Sequence, residues 1–119
     1  MTTTLAWLLF ALGVSHIAVA LLKFREPLLE GIRAGVIGKF SAPEVRRTAF
    51  WFIIFGPLVM LAGQVALHAA ATGDMVLYRL VGLYLLAVSV VGVVVSPKSP
   101  FSVALLIAVP MVAAGYGFI

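Results

Sequence analysis

The sequence predicts an all-α integral membrane protein, a bundle of four transmembrane helices with both termini outside. An amphipathic segment on the cytoplasmic side is expected between helices one and two. Three observations predict this. Four continuous apolar runs, Leu5–Leu22, Thr48–Ala70, Leu77–Ser96 and Phe101–Ile119, are each close to the ~20 residues a helix needs to cross hydrocarbon. The chain is 64% hydrophobic and only 10% charged, against about 25% charged in a soluble domain. Finally, six of the eight basic residues, Lys23, Arg25, Arg33, Lys39, Arg46 and Arg47, fall in the gap between the first two runs. Positive loops stay cytoplasmic, so that gap is placed inside.

The runs are continuous rather than alternating, and lipid offers the backbone no hydrogen-bond partners, so they read as helices and not as a barrel. Little is left for a soluble domain, and residues 1–119 read as one four-helix domain. The first run follows Met1-Thr2-Thr3-Thr4, which carries no basic side chain, and is followed by Lys23 and Arg25. Although Ala18-Val19-Ala20 resembles a cleavage site, the run reads as a retained helix. In the gap, Pro27 suits a first helical turn. Leu28, Leu29, Ile32, Val36 and Phe40 share one side of a helical wheel, which fits a segment lying on the inner surface. Gly31, Gly35 and Gly38 weaken that helix, so a glycine-rich loop with apolar anchors is the competing reading.

The second helix is expected to start before the bilayer does. Ser41-Ala42-Pro43-Glu44 reads as a capping box, and a helix from there to Ala70 is roughly 43 Å long. That exceeds a ~30 Å hydrocarbon core, which places Arg46 and Arg47 at headgroup level and Trp51 at the interface. Trp7 marks the opposite interface. Gly73-Asp74 reads as a stop followed by a new cap, and Ser99-Pro100 as a cap before the fourth helix. Pro57 and Pro110 are expected to interrupt helices two and four. The loop after the third run carries Lys98, so seven basic residues lie inside and only Arg79 lies near the outside.

Polar groups at membrane depth are costly and are the default functional candidates. They form three expected layers. The inner layer holds His16 with Ser15 and Ser89, His16 lying roughly 10 Å above the inner boundary. His16 and Ser89 are the weak catalytic candidates. The middle layer holds Gln64 and Tyr84, roughly 20 Å up, which with His16 are the weak ligand-binding candidates. Gln64 shares a helix face with Met60 and His68. The outer layer holds His68, Arg79, Tyr116 and the Ile119 carboxylate. There Arg79 is expected either to form an ion pair with that carboxylate or to snorkel to headgroups. The basic residues Lys23, Arg25, Arg33, Lys39, Arg46 and Arg47 form a surface for anionic lipid or a partner.

The exclusions are as useful. Absence of cysteine removes disulfides and thiolate chemistry. The net charge of +4 is explained by the loop bias, so no nucleic-acid partner is expected. No acidic residue lies in any apolar run, two histidines at different depths make no metal site, and no nucleotide loop is present. No cofactor is predicted, and a heme or a quinone at His16 stays open.

Gly13-x-x-His16, Phe24-Arg25-Glu26-Pro27-Leu28, Arg46-Arg47 before Ala49-Phe50-Trp51-Phe52, and Gly56-Pro57 together resemble a family of small, uncharacterised four-helix bacterial membrane proteins. The resemblance implies the bacterial inner (plasma) membrane and carries no activity. In size the chain is also similar to small multidrug-resistance exporters, but those rely on a glutamate in helix one, where this chain has only His16. Three functions are thus expected in order. The first is an accessory or interaction subunit, or a homo-oligomer, among membrane lipids or in a larger membrane complex. The second is a small membrane enzyme or carrier for a lipid-soluble molecule, a lipid, quinone or heme, near His16. The third is a proton-coupled exporter.

Overall fold

The computed structural model describes residues 1–119 and is all-α, without strands. Five helices follow in order: α1 (Thr2–Lys23), α2 (Arg25–Arg33), α3 (Glu44–Thr72), α4 (Met75–Val95) and α5 (Phe101–Gly115). Helices α1, α3 and α4 are long and apolar enough to cross a membrane, while α5, also apolar, has 15 residues. The folded chain measures 50 × 29 × 21 Å.

The local chemistry sets these boundaries. Phe24 alone separates α1 from α2, and its N–H still donates to the Ala20 carbonyl at 2.9 Å. Glu26 in the first turn of α2 and Arg33 in its last are favourably placed for the helix dipole. Gly73 ends α3 in the left-handed region at φ 74, and the Asp74 N–H closes on the Ala69 carbonyl at 2.9 Å. Asp74 then caps α4, its Oδ1 accepting from the Leu77 N–H at 3.1 Å. Both signals were expected from Gly73-Asp74. Helix α5 ends earlier than its apolar run because Gly117 adopts φ 80, letting Phe118 N–H reach the Ala113 carbonyl at 2.9 Å and Gly117 N–H the Ala114 carbonyl at 3.0 Å. This paired closure is a Schellman end.

Three sequence expectations are corrected here. The amphipathic helix stops at Arg33 and does not continue to Phe40, because Gly35 and then Val36 take positive φ, 115 and 67; Val36 and Phe40 leave the helical face. Phe40 instead turns its ring against Gly31 and lies 5.8 Å from the Phe50 ring. Ser41 and Glu44 form no capping box. The cap is Pro43, without a side-chain bond, and Ser41 Oγ donates to the Gly38 carbonyl at 3.0 Å. Glu44 is the first residue of the helix, too early to reach back as a capping-box glutamate does. Lastly, α3 and α5 run unbroken through Pro57 and Pro110.

The long helices form two antiparallel pairs, α1 with α3 and α4 with α5, and each pair packs more extensively within itself than against the other. Glycine permits the closeness. A Cβ on Gly13 would lie 2.5 Å from the Met60 nitrogen and 2.7 Å from the Gly56 carbonyl oxygen, and one on Gly63 would lie 2.6 Å from the Phe10 nitrogen. In the second pair, Gly82 faces Val112, Gly92 faces the Phe101 ring and Gly115 faces Arg79. Small residues let helices in lipid approach closely enough for backbone packing.

The two pairs join at one end of the bundle. There Leu5, Ala6 and Leu9 of α1, Ala66 and Ala69 of α3, Tyr78 of α4, and Ile107, Met111 and Ala114 of α5 form one buried cluster. Tyr78 is fully buried, and its hydroxyl donates to the Thr2 carbonyl at 2.8 Å, fastening α4 to the start of α1. The opposite end carries α2, the start of α3 and the 96–100 turn, and with them most of the basic residues. This basic end lacks a matching core cluster, and the pairs leave space between them.

Candidate functional site

That space is a cavity of about 470 Å³, within the ~300–1,000 Å³ of ordinary small-molecule sites. Helices α1, α3, α4 and α5 all contribute to it. Leu12 and His16 come from α1. Arg47, Thr48, Trp51, Phe52, Phe55 and Val59 come from α3, and Leu85, Val88 and Ser89 from α4. Ser99 and Pro100 of the turn, with Phe101 and Ala104 of α5, complete it. The spacing 48, 51, 52, 55, 59 on α3 is one helical stripe, which is why a run that looks uniformly apolar in sequence presents one coherent wall.

Two polar groups in this apolar surround have no partner. Ser89 is fully buried and its Oγ makes no hydrogen bond. Other hydroxyls in the fold do not behave so: Ser15 Oγ donates to the Ala11 carbonyl at 2.8 Å, and Thr72 Oγ1 to the His68 carbonyl at 2.9 Å. A buried hydroxyl left unpaired costs about 1–3 kcal/mol. His16 is half-buried and its Nδ1 is also buried without a partner. Its ring is held by packing on Phe52, 4.7 Å between centroids, and Phe52 in turn leans on Phe24 at 5.3 Å. Arg47 stands at the other end of the polarity range: it is exposed at the start of α3, lines the cavity and forms no ion pair.

The structure brings together some of the candidates from sequence and separates others. His16 and Ser89 share the cavity, as the inner layer anticipated, whereas Ser15 faces outward and bonds its own helix. Gln64 and Tyr84 are exposed and do not line the cavity, Tyr84 at 74% exposure. His68 is exposed as well. The basic group also divides. Arg46 pairs with Glu30 at 3.8 Å, worth about 0.5 kcal/mol at this exposure. Arg25 and Arg33 border a surface groove together with Glu26 and Glu30. Lys23 lies 5.8 Å over the Phe24 ring, and Lys39 is exposed in the 34–43 segment.

The expected ion pair of Arg79 with the Ile119 carboxylate is not formed. The guanidinium instead lies 4.7 Å over the Tyr116 ring. Tyr116 closes the last turn of α5, its N–H donating to the Val112 carbonyl at 3.0 Å, directly after Gly115, which faces Arg79; a cation over an aromatic face needs no carboxylate. Extending the C-terminus by a short tag is therefore expected to leave the unfolding midpoint in mixed micelles unchanged, while Tyr116→Ala lowers stability by about 0.5–1 kcal/mol.

One residue, Tyr78, escapes the sequence reading, and a second, Trp51, has a further role in the structure. Tyr78 carries a hydroxyl within an apolar run, the same signal that singled out Tyr84, and it stands next to the more conspicuous Arg79. Trp51 reads as an interfacial anchor, but it also forms part of the cavity wall.

The described residues include no group of three or more His, Cys, Asp or Glu side chains able to hold a metal ion. Residues 1–116 match the family described as a family of unknown function (DUF6463), and the chain belongs to that family. No curated protein and no solved structure matches it.

Proposed function

We propose that this member of a family without an assigned activity is a membrane carrier or enzyme that holds one lipid-soluble molecule in the cavity at its basic end. The observation that carries the reading is the buried, unpartnered Ser89 hydroxyl in the wall of that cavity, on the far side of the bundle's pairing from the likewise unpartnered His16 Nδ1. Hydrophobic walls with a few convergent polar groups are the usual composition of a ligand site. The polar head of a bound molecule would supply the missing partners. The interaction-subunit reading draws on the exposed apolar side chains, but lipid covers such side chains equally well, and no feature of the fold marks out a protein partner.

The membrane arrangement belongs to the same proposal. In it the chain crosses four times, α5 being the short crossing, with the 24–43 segment and Lys98 cytoplasmic and both termini outside; the positive charge of that segment supports this orientation. Helix α2 then lies in the interface, supported by an apolar groove of Leu21, Leu22, Leu28, Leu29 and Ile32 beside Arg25. The resemblance noted in the sequence supports a bacterial inner membrane.

Solvent extraction of the purified protein, followed by mass spectrometry, tests the reading. A lipid-soluble molecule is expected at about one per chain, enriched over the bulk lipid. Ser89→Ala is expected to reduce that amount while leaving stability unchanged or raising it by about 1–2 kcal/mol, since it removes an unpaired buried hydroxyl. An extract identical in composition to the surrounding lipid would reject the proposal.

A further inference from the structure

We infer that the molecule the cavity takes is an anionic amphiphile, an acyl chain ending in a carboxylate or phosphate, with its head against Arg47 and the start of α5. This rests on the reading of the cavity as a ligand site and adds the charge of the ligand to it.

Four observations point the same way. Arg47 is the one charged side chain in the cavity wall, and it has no acidic partner. The nearest acid in sequence, Glu44, lies one turn earlier on α3 and does not pair with it. None of the four acidic residues of the chain, Glu26, Glu30, Glu44 and Asp74, lines the cavity. The first turn of α5 enters the wall at Pro100 and Phe101; its Phe101 and Ser102 N–H groups already donate to Ser99, and what the end of this 15-residue helix adds is its positive partial charge. Deeper in, the buried Ser89 hydroxyl is unsatisfied. A charged head is therefore favoured at the rim by a free guanidinium and a helix dipole, while a polar atom near the head meets Ser89. The aromatic wall of Trp51, Phe52, Phe55 and Phe101 suits the chain. A neutral molecule would use the apolar wall and leave Arg47 without a counter-charge.

Position makes this measurable. The protein has two tryptophans, Trp51 in the cavity wall and Trp7 toward the opposite end of α1. Trp7→Phe leaves Trp51 as the reporter, and Trp51→Phe leaves Trp7 as the control for probe dissolved in the bilayer. Dibromostearic acid, whose bromines quench indole on contact, is titrated into each variant in nanodiscs at alkaline pH, where its carboxyl is ionised. Its methyl ester and inorganic phosphate are run alongside. Saturable quenching of Trp51 by the acid is expected, with only shallow, non-saturating quenching of Trp7. The ester should bind at least about tenfold more weakly, and Arg47→Gln should weaken the acid by about the same factor while sparing the ester, as fits loss of one charge-assisted contact. Arg47→Lys, which keeps the charge, should restore most of the affinity.

Equal affinity for acid and ester, or indifference of the acid to Arg47→Gln, would overturn the anionic head while leaving the cavity reading standing. Displacement of the acid by inorganic phosphate alone would mean a free-anion site and overturn the amphiphile. Failure of both acid and ester to saturate Trp51 would take the cavity reading down as well.

Discussion

Alanine at Gly13 or Gly63 is expected to destabilise the protein by about 1–3 kcal/mol, although glycine to alanine within a helix ordinarily gains about 1 kcal/mol. The sign reverses because the new methyl has nowhere to go. At Gly13 it would stand 2.5 Å from the Met60 nitrogen and 2.7 Å from the Gly56 carbonyl oxygen, and at Gly63 it would stand 2.6 Å from the Phe10 nitrogen and 2.7 Å from the Phe10 Cα. All four are backbone atoms, which cannot step aside as a side-chain tip can. Relief requires α1 and α3 to part along their length, and dispersion contacts fall away steeply with separation. Gly82 offers an internal comparison, since its nearest neighbours are a Val112 methyl at 3.2 Å and the Val112 nitrogen at 3.3 Å. Alanine there should cost less than at Gly13. Unfolding in mixed micelles by added sodium dodecyl sulfate, followed by circular dichroism, checks the ranking. A more stable Gly13→Ala protein would show that the two helices are not in backbone contact.

Tyr78→Ala is expected to cost about 3–5 kcal/mol, the usual loss for a large buried aromatic truncated to a methyl. Tyr78 is the largest fully buried side chain in the fold, and it sits among residues from all four long helices. Its removal opens a cavity where the two helical pairs are joined. Tyr78→Phe isolates the hydroxyl, which donates to the Thr2 carbonyl at 2.8 Å. That change should cost only about 1 kcal/mol, and less if membrane-protein hydrogen bonds, near 0.6 kcal/mol on average, are the better guide. The same detergent titration reads both variants. Equal losses for the two would place the stabilisation in the hydrogen bond rather than in packing.

The legible parts of the fold were those set by local chemistry. Runs of apolar residues gave the long helices, because a helix satisfies its own backbone wherever water is absent. Gly73-Asp74 marked both a stop and a cap, because left-handed glycine and a carboxylate acceptor work within a few residues of each other. The Ser41 capping box failed for a related reason: the motif fits a helix starting at Ala42, whereas the chain begins α3 at Glu44, behind Pro43 in extended geometry (φ −67, ψ 172). Val36 failed too, since helical periodicity says nothing about a φ of 67.

The candidate site was half legible. His16 and Ser89 were paired from depth alone, because each stands at a countable distance from a charged boundary. Depth does not specify the direction a side chain faces, so Gln64 and Tyr84, matched at one level, prove exposed and outside the cavity wall. For Arg79 the sequence offers the terminal carboxylate or the headgroups, but not the aromatic face that the end of α5 sets over it, because Tyr116 lies 37 positions further along the chain.

The sequence by itself determined the helical class, three helices long and apolar enough to cross a membrane, and the concentration of positive charge between the first two of them, since each depends on composition along a single stretch of chain. Tertiary structure decided that the helices pair as α1 with α3 and α4 with α5, that Tyr78 fastens those pairs at one end, and that a cavity opens at the other with Ser89 unpartnered in its wall. The reason is physical. A helix in an apolar setting forms from its own hydrogen bonds, but where two helices touch depends on which glycines meet which backbone, and that is a property of two segments far apart in the chain.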